Sequence, residues 1–329
     1  MRLHPVILIH DLGGSPQDWD RWGLESLLVN EGGFDPRLIR RFDYGYRREG
    51  RVPQYDAQGD LIQIAHRLSD DPAIPDGEAF QVDRLAAESQ ELGGPGKVSL
   101  VALGSGGLIA RYYLSRAEPD SLGTRYNGCV GRAILLGTPN RGGWFGSGGN
   151  EKLRRQKWWL RPFMTSGTEA ALDALVRGFE ALRDRVLAEM AGESSPPISL
   201  KALGALHSAQ DSFLLRWLNR PERAPRGVRF HCLAGDIGVD FLLPFRGGNR
   251  PIHLRLGDLL VAADSAAQIP GAKPDRIVFD RTYEVDLTKP QADADPLAWF
   301  GGGLPPVAHT RLMGSREVQQ AILDILCAD

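Results

Sequence analysis

The chain has 329 residues, 42% of them hydrophobic and 24% charged, and a formal net charge of −2. That is enough to bury a large core, as one big domain or a core plus a cap. The near-neutral charge argues against a nucleic-acid surface or an anionic membrane as partner, and no apolar run reaches the length of a bilayer span.

The first residues lack a basic region followed by an apolar stretch, so a cytoplasmic protein is expected unless a signal was cut off ahead of residue 1. Pro5–Ile9 is a short continuous apolar run of the buried-strand type, ended by Asp11-Leu-Gly-Gly14. A helix is expected from about Pro16, with Ser15 as its cap, until Gly32-Gly33 stops it. Leu38–Tyr44 reads as a second strand, and helical stretches follow around Asp60–Leu68 and Glu78–Leu92. Lys97–Leu103 is a strand that turns sharply into the helix Gly106–Arg116, and Val130–Leu136 is another buried strand. Alternating β and α elements of this kind build a mostly parallel sheet covered by helices.

From about Trp144 to Asn219 the strand signal disappears. Leu172, Leu175, Val176, Phe179, Leu182, Val186, Leu187 and Met190 recur at helical spacing, as a cap helix or an ordinary core helix would. Trp158, Trp159 and Phe163 are available to line an acyl pocket or simply to pack. Phe230–Ala234 resumes the sheet, Arg276–Val285 adds a last strand and Arg311–Leu326 closes with an amphipathic helix. The division is core at 1–143, helical cap or lid at 144–220 and core again at 221–329. Cys129, Cys232 and Cys327 are odd in number and far apart, which suits buried thiols rather than a disulfide framework or a metal knuckle. A cluster of Arg40, Arg41, Arg47, Arg48 and Arg51 with Phe42, Tyr44, Tyr46 and Tyr55 has acidic residues close by, so it reads as a solvated face or a carboxylate contact.

The strand–turn–helix at 97–114 carries the main functional signal. A nucleophile elbow needs small residues two before and two after its central residue, because strand and helix crowd together there. Ala102 and Gly106 meet that need when Gly104 is central; a Ser105-centred elbow would put Leu103 in the first crowded place. The stretch resembles the Leu-Val-Gly-His-Ser-Met-Gly-Gly-Leu-Val-Ala-Arg segment of α/β-hydrolase lipases, with Gly104 on the serine. Leu256–Ala266 is similar to the family's loop around the catalytic acid, and Val307–Val318 to the loop around the catalytic histidine. The resemblance therefore implies Asp258 as acid and His309 as general base; Asp236 is the runner-up acid because it also follows a strand directly, and Asp264 is weaker, since it falls where the lipase pattern has pocket residues. Ile9–Gly14 resembles the oxyanion loop His-Gly-Leu-Gly-Gly, which implies the N–H groups of Leu12 and Ser105 as oxyanion donors. Asp11 stands where the family has glycine, and a carboxylate beside a developing oxyanion opposes it by several kcal/mol, to order of magnitude, in a dry site. Leu136–Gly142 and Ala209–Asn219 add two further resemblances, to lipases and to the lecithin:cholesterol acyltransferase group.

What the resemblance implies is an α/β-hydrolase fold, a mostly parallel sheet with a helical cap, and an apolar pocket for an acyl or ester small molecule, with no cofactor and no metal. Glycine at the elbow relaxes the turn and deletes the hydroxyl that an acyl-enzyme requires. The leading expectation is thus a protein that has left serine hydrolysis and keeps an Asp–His pair for acid/base work, or a pseudohydrolase. The alternatives are a serine esterase, lipase or acyltransferase whose nucleophile was replaced by Gly104 or taken over by Ser105, and a non-catalytic interaction scaffold. For Ser105 the plain reading is a helix N-terminal residue that lends its amide.

Overall fold

A computed structural model describes residues 3–42, 61–66, 68, 82–115, 124, 126, 128–143, 164–191, 212–225, 227–288 and 295–328. Its elements in chain order are β1 (Val6–Ile9), α1 (Asp18–Arg21), α2 (Leu24–Asn30), β2 (Ile39–Phe42), α3 (Leu61–His66), α4 (Val82–Glu91), β3 (Val98–Leu103) and α5 (Ser105–Leu114). They continue with β4 (Val130–Leu136), α6 (Ser166–Ala191), α7 (Phe213–Leu218), β5 (Arg229–Phe245), β6 (Gly248–Arg255), α8 (Ala263–Ala266), β7 (Asp275–Asp286) and α9 (Arg316–Cys327).

The sheet runs β2-β1-β3-β4-β5, with β7 and β6 both pairing β5. Every pairing is parallel except β5 with β6. Residues of β1, β3 and β4 alternate between two apolar layers, as the two-residue strand period requires. Val6, Leu8, Val101, Leu103, Ile134 and Leu136 join the cluster that includes α2, α6 and α9. Ile7, Ile9, Leu100, Ala102, Ala133 and Leu135 join the one that includes α3, α4, α5 and α7. Burial on both faces is why these strands read as unbroken apolar runs.

Three elements depart from the sequence reading, one of them slightly: the closing helix expected from Arg311 begins at Arg316. The helix expected from Pro16 is split at Gly23, whose φ of 77° ends α1 and starts α2. The strand expected to stop near Ala234 continues to Phe245 and folds back as β6, through a turn at Gly247 and Gly248 with φ of 94° and 121°. Gly235, Gly238 and Pro244 interrupt the apolar run there, and Pro251 sits in β6, a strand hydrogen-bonded on one side alone in the sheet path. The helical spacing noted from Leu172 to Met190 belongs to α6, which buries Leu172, Leu175, Phe179, Leu182 and Val186 and packs on β5. Trp158, Trp159, Phe163, Tyr44, Tyr46, Arg47, Arg48, Arg51 and Tyr55 lie outside the described residues. Of that basic cluster, Arg41 is described and pairs with Asp20 and Glu25. Among the described residues no helix is long and apolar enough to cross a membrane.

Candidate active site

The C-terminal ends of the parallel strands hold the loops where an open α/β sheet places its ligands. β3 ends at Leu103, Gly104 makes the turn at φ 53° and ψ −123°, and α5 begins at Ser105. The turn is tightly walled: a Cβ on Gly106 would lie 2.5 Å from the His10 carbonyl oxygen, and one on Gly107 would lie 1.9 Å from Thr138 Oγ1. Glycine has not relaxed the turn into ordinary helix or strand geometry; the elbow keeps a backbone that side-chain-bearing residues rarely adopt.

A Cβ on Gly104 would meet Asp11 Oδ2 at 2.2 Å, Cγ at 2.3 Å and Oδ1 at 2.4 Å. The volume that a nucleophile side chain would occupy is therefore filled by the Asp11 carboxylate, reaching across from the loop after β1. Its Oδ1 accepts from Leu12 N–H at 2.8 Å, Ser105 N–H at 2.7 Å and Ser105 Oγ–H at 2.6 Å. The two amides expected to hold an oxyanion do converge, and what they hold is Asp11. This corrects the expectation of a carboxylate standing beside the hole and repelling its charge, since Asp11 is itself the anion in it. Ser105 starts α5, so the partial positive charge of the helix N-terminus adds to the attraction.

Asp11 Oδ2 meets His309 Nε2 at 2.8 Å, and Asp258 Oδ2 meets Nδ1 of the same ring at 2.7 Å. Asp258 sits in a tight loop between β6 and α8. Its Oδ1 accepts from Leu260 N–H and Val261 N–H, at 3.0 and 2.7 Å, and its own N–H donates to the Val261 carbonyl. The loop includes Leu259 at φ 78°, the one non-glycine residue with positive φ among the described residues. His309 follows β7 and is tied to the same loop by its N–H on the Asp258 carbonyl at 2.9 Å. Gly137, at the end of β4, gives this pair its room. A Cβ there would stand 2.8 Å from Asp258 Oδ2 and 3.1 Å from His309 Nδ1, and its φ of 52° favours glycine independently.

All three groups are buried: Asp258 is 1% exposed, His309 3% and Asp11 7%. Burial alone would drive His309 neutral, but the Asp258 charge and the hydrogen bonds to Asp11 and Asp258 outweigh it and raise its pKa to about 10. Burial also opposes charge on Asp11, yet the bond and charge of His309 and the N–H and hydroxyl of Ser105 hold its carboxyl below the ordinary range. At neutral pH the centre is an imidazolium between two carboxylates. Both ring nitrogens donate.

A cavity of about 520 Å³ opens beside this centre, with Asp11 and His309 in its lining. The expectation of an apolar pocket needs correction, because the lining is mixed. Leu12, Trp22, Leu103 and Met190 are joined by the paired Asp18 and Arg21 and by Glu189, which accepts from Thr310 and Arg311. Glu189 and Met190 come from α6, so the segment inserted between the strands supplies part of the wall.

The remaining candidates are occupied elsewhere. The Ser105 hydroxyl donates to Asp11 and accepts from Leu12 N–H, while the ring nitrogen that would activate a serine is taken by Asp11. Asp236 is bound to Arg255 and to Gly257 N–H. Asp264 is exposed in α8. Sequence reasoning singled out Asp11 as a departure but missed that its side chain reaches the nucleophile position. The signal available was the pairing of an extra carboxylate on one loop with a missing side chain on the facing one.

No protein-family model matches the sequence, and no curated protein matches it. Among solved structures, the chain is similar to the mature lipase BlEst2 of Bacillus licheniformis, at 16% identity and a TM-score of 0.43, over 98% of this chain and 91% of that one. It is also similar to EstA of Clostridium botulinum, at 12% identity and a TM-score of 0.44 over 99% and 86%, and to MenH of S. aureus, at 12% and 0.42 over 99% and 94%. The strand order and the elbow at the end of β3, followed in the chain by Asp258 and His309, give the protein an α/β-hydrolase fold.

Proposed function

We propose that this protein is a lipase- or esterase-like member of the hydrolase-fold proteins that works without an acyl-serine, with Asp11, His309 and Asp258 as its reacting centre. One observation carries the reading: the carboxylate of Asp11 occupies the volume, the oxyanion donors and the histidine nitrogen that a serine nucleophile would use. Asp258 orients His309 from behind, and the Asp11–His309 pair makes the proton transfers. The substrate is a small molecule received by the cavity at Asp11, with the inserted segment around α6 acting as a cap.

The state of the centre also argues against a serine enzyme. A hydrolase serine needs a neutral imidazole to take its proton. Here the imidazolium persists to about pH 10 and the oxyanion donors are already filled.

The test compares the unmodified chain with Gly104→Ser and with the double variant Asp11→Gly/Gly104→Ser, using acyl esters of several lengths and a serine-directed phosphonate. The unmodified chain is expected to stay unlabelled. Ester hydrolysis and labelling at residue 104 are expected in the double variant, because Asp11 obstructs the added side chain in the single one. Labelling of the unmodified chain that disappears in Ser105→Ala would overturn the reading and return the chemistry to Ser105. If turnover of any of these esters by the unmodified chain survives Asp11→Asn unchanged, the proposed centre is wrong.

A further inference from the structure

We infer that β7 is the docking surface for a second copy of this chain: the two β7 strands pair antiparallel about a two-fold axis at Val278 and join the two sheets into one.

The strand is an edge left open. β7 runs 12 residues, from Asp275 to Asp286, and within the sheet it pairs with β5 alone. Over 275–281 its outward N–H and C=O groups meet no other strand among the described residues, although the Asp280 carbonyl accepts from the Arg281 guanidinium. Such a row is a template for another strand, and folded proteins commonly blunt it with a proline or a bulge. β7 contains no proline, and its register with β5 is unbroken from Asp275 to Arg281. Its side chains alternate as a half-covered strand requires. Ile277 and Phe279 lean on the apolar layer that includes α9, while Arg276, Val278 and Asp280 are exposed on the opposite face, Val278 to 45%.

Charge identifies the partner. A lone exposed valine is ordinary, and charges along an edge more often keep other chains away. Those of β7 make the strand complementary to itself. With Val278 opposite Val278, antiparallel pairing sets Arg276 against Asp280, Asp275 against Arg281 and Ile277 against Phe279, each twice by symmetry. Residues directly opposite one another share a face. Arg276 and Asp280 therefore flank Val278 on the exposed side, and Asp275 and Arg281 flank the two apolar residues on the other. The register is selective as well. A slip of one residue brings Asp275 against Asp280 or Arg276 against Arg281, and it turns one copy over. A slip of two leaves none of the four charges opposite a charge of the other sign. A two-fold contact demands this reciprocity, because residue i meets j while j meets i.

Within one copy these charges are only partly used. Arg276 makes no ion pair among the described residues, and Asp280 stands 3.8 Å from Arg255. Asp275 lies 3.3 Å from His231 Nδ1, and Arg281 reaches Glu317 across exposed surface. The second copy supplies Arg276 with a counter-ion and covers Val278. Pro274 would stand opposite Thr282, and proline has no N–H to extend a ladder, so the pairing ends with 275–281.

The experiment is sedimentation equilibrium of the full chain from micromolar to hundreds of micromolar concentrations, with Arg276→Asp, Asp280→Arg and the exchange Arg276→Asp/Asp280→Arg, each shown to be folded by circular dichroism. The unmodified chain is expected to populate a monomer–dimer equilibrium. Each single substitution turns two attractive pairs into repulsive ones and should weaken association roughly tenfold or more, whereas the exchange should restore it to within about threefold. A charge-neutral variant, Val278→Cys, tests the geometry. Opposed Cα atoms of an antiparallel pair lie about 4.5–5.5 Å apart, within the span of a disulfide, so mild oxidation should link two copies through residue 278, as located by peptide mapping. A monomer throughout the range overturns the inference. So does a dimer that neither single substitution weakens, one that the exchange fails to restore, or one in which Val278→Cys yields no such link.

Discussion

Asp11 and Asp258 grip opposite edges of one imidazole in nearly the same way. Each gives Oδ1 to two backbone N–H groups and Oδ2 to a ring nitrogen, and each sits where a glycine of positive φ leaves room, Gly104 for Asp11 and Gly137 for Asp258. They differ in what lies beyond. Asp258 is closed in by its own loop at 1% exposure, whereas Asp11 lines the cavity and is fixed by Leu12 of its own loop and by Ser105 at the start of α5. The same local chemistry therefore leaves one carboxylate closed in and the other open to the cavity. Access makes the difference.

The largest effect expected from disturbing this symmetry is at Gly104. Gly104→Ala drives a Cβ into the Asp11 carboxylate and places alanine at φ 53°, and it is expected to cost roughly 2–4 kcal/mol in chemical denaturation. Adding Asp11→Gly should return about 1–3 kcal/mol of that, a coupling readable from the double-mutant cycle. Purely additive losses would mean that the two residues do not share one volume. On the Asp258 side, Gly137→Ala should cost about 1–3 kcal/mol from backbone strain and crowding of the dyad. Because Asp258 lies away from the cavity, its main functional symptom should be a changed pH profile rather than weaker substrate binding.

The pH dependence of stability separates the two sides in direction. His309 has its folded pKa raised from 6.5 to about 10, so its contribution is complete below pH 6.5 and is lost as pH rises through about 10. Asp11 has its folded pKa lowered from 3.8, so its contribution is present above that value and is lost as pH falls through the lower folded one. Urea midpoints should therefore decline on the alkaline side from about pH 6.5, and Asp11→Asn should shorten that decline. The smallest effect is expected from Ser105→Ala, which removes one of three hydrogen bonds to Oδ1 and should cost about 1 kcal/mol.

Much of the framework was legible in the chain because it rests on local rules. The buried parallel strands announce themselves as short runs of valine, isoleucine and leucine, and the elbow announces itself by the small residues Ala102 and Gly106. Asp258 and His309, 51 residues apart, were placed by resemblance in loops that the fold then joins at 2.7 Å. The extension of β5 into β6 was not legible, since Gly235, Gly238 and Pro244 break the periodicity that marks a strand. The seat of Asp11 was beyond sequence reasoning for a different cause. Asp11 and Ser105 are 94 residues apart, and whether a carboxylate repels or fills an oxyanion site depends on a side-chain direction that no spacing encodes.

Nuclear magnetic resonance titration of the ring nitrogens of His309, in the unmodified protein and in Asp11→Asn, tests the central claim most directly. With Asp11 in the serine's place, both nitrogens should be protonated at pH 8 and titrate near pH 10 in the unmodified protein. In Asp11→Asn the transition should fall by roughly 1–3 pH units, since Asp258 alone then holds the charge. A ring that is neutral at pH 8 in the unmodified protein, with a titration that Asp11→Asn leaves in place, would contradict the account.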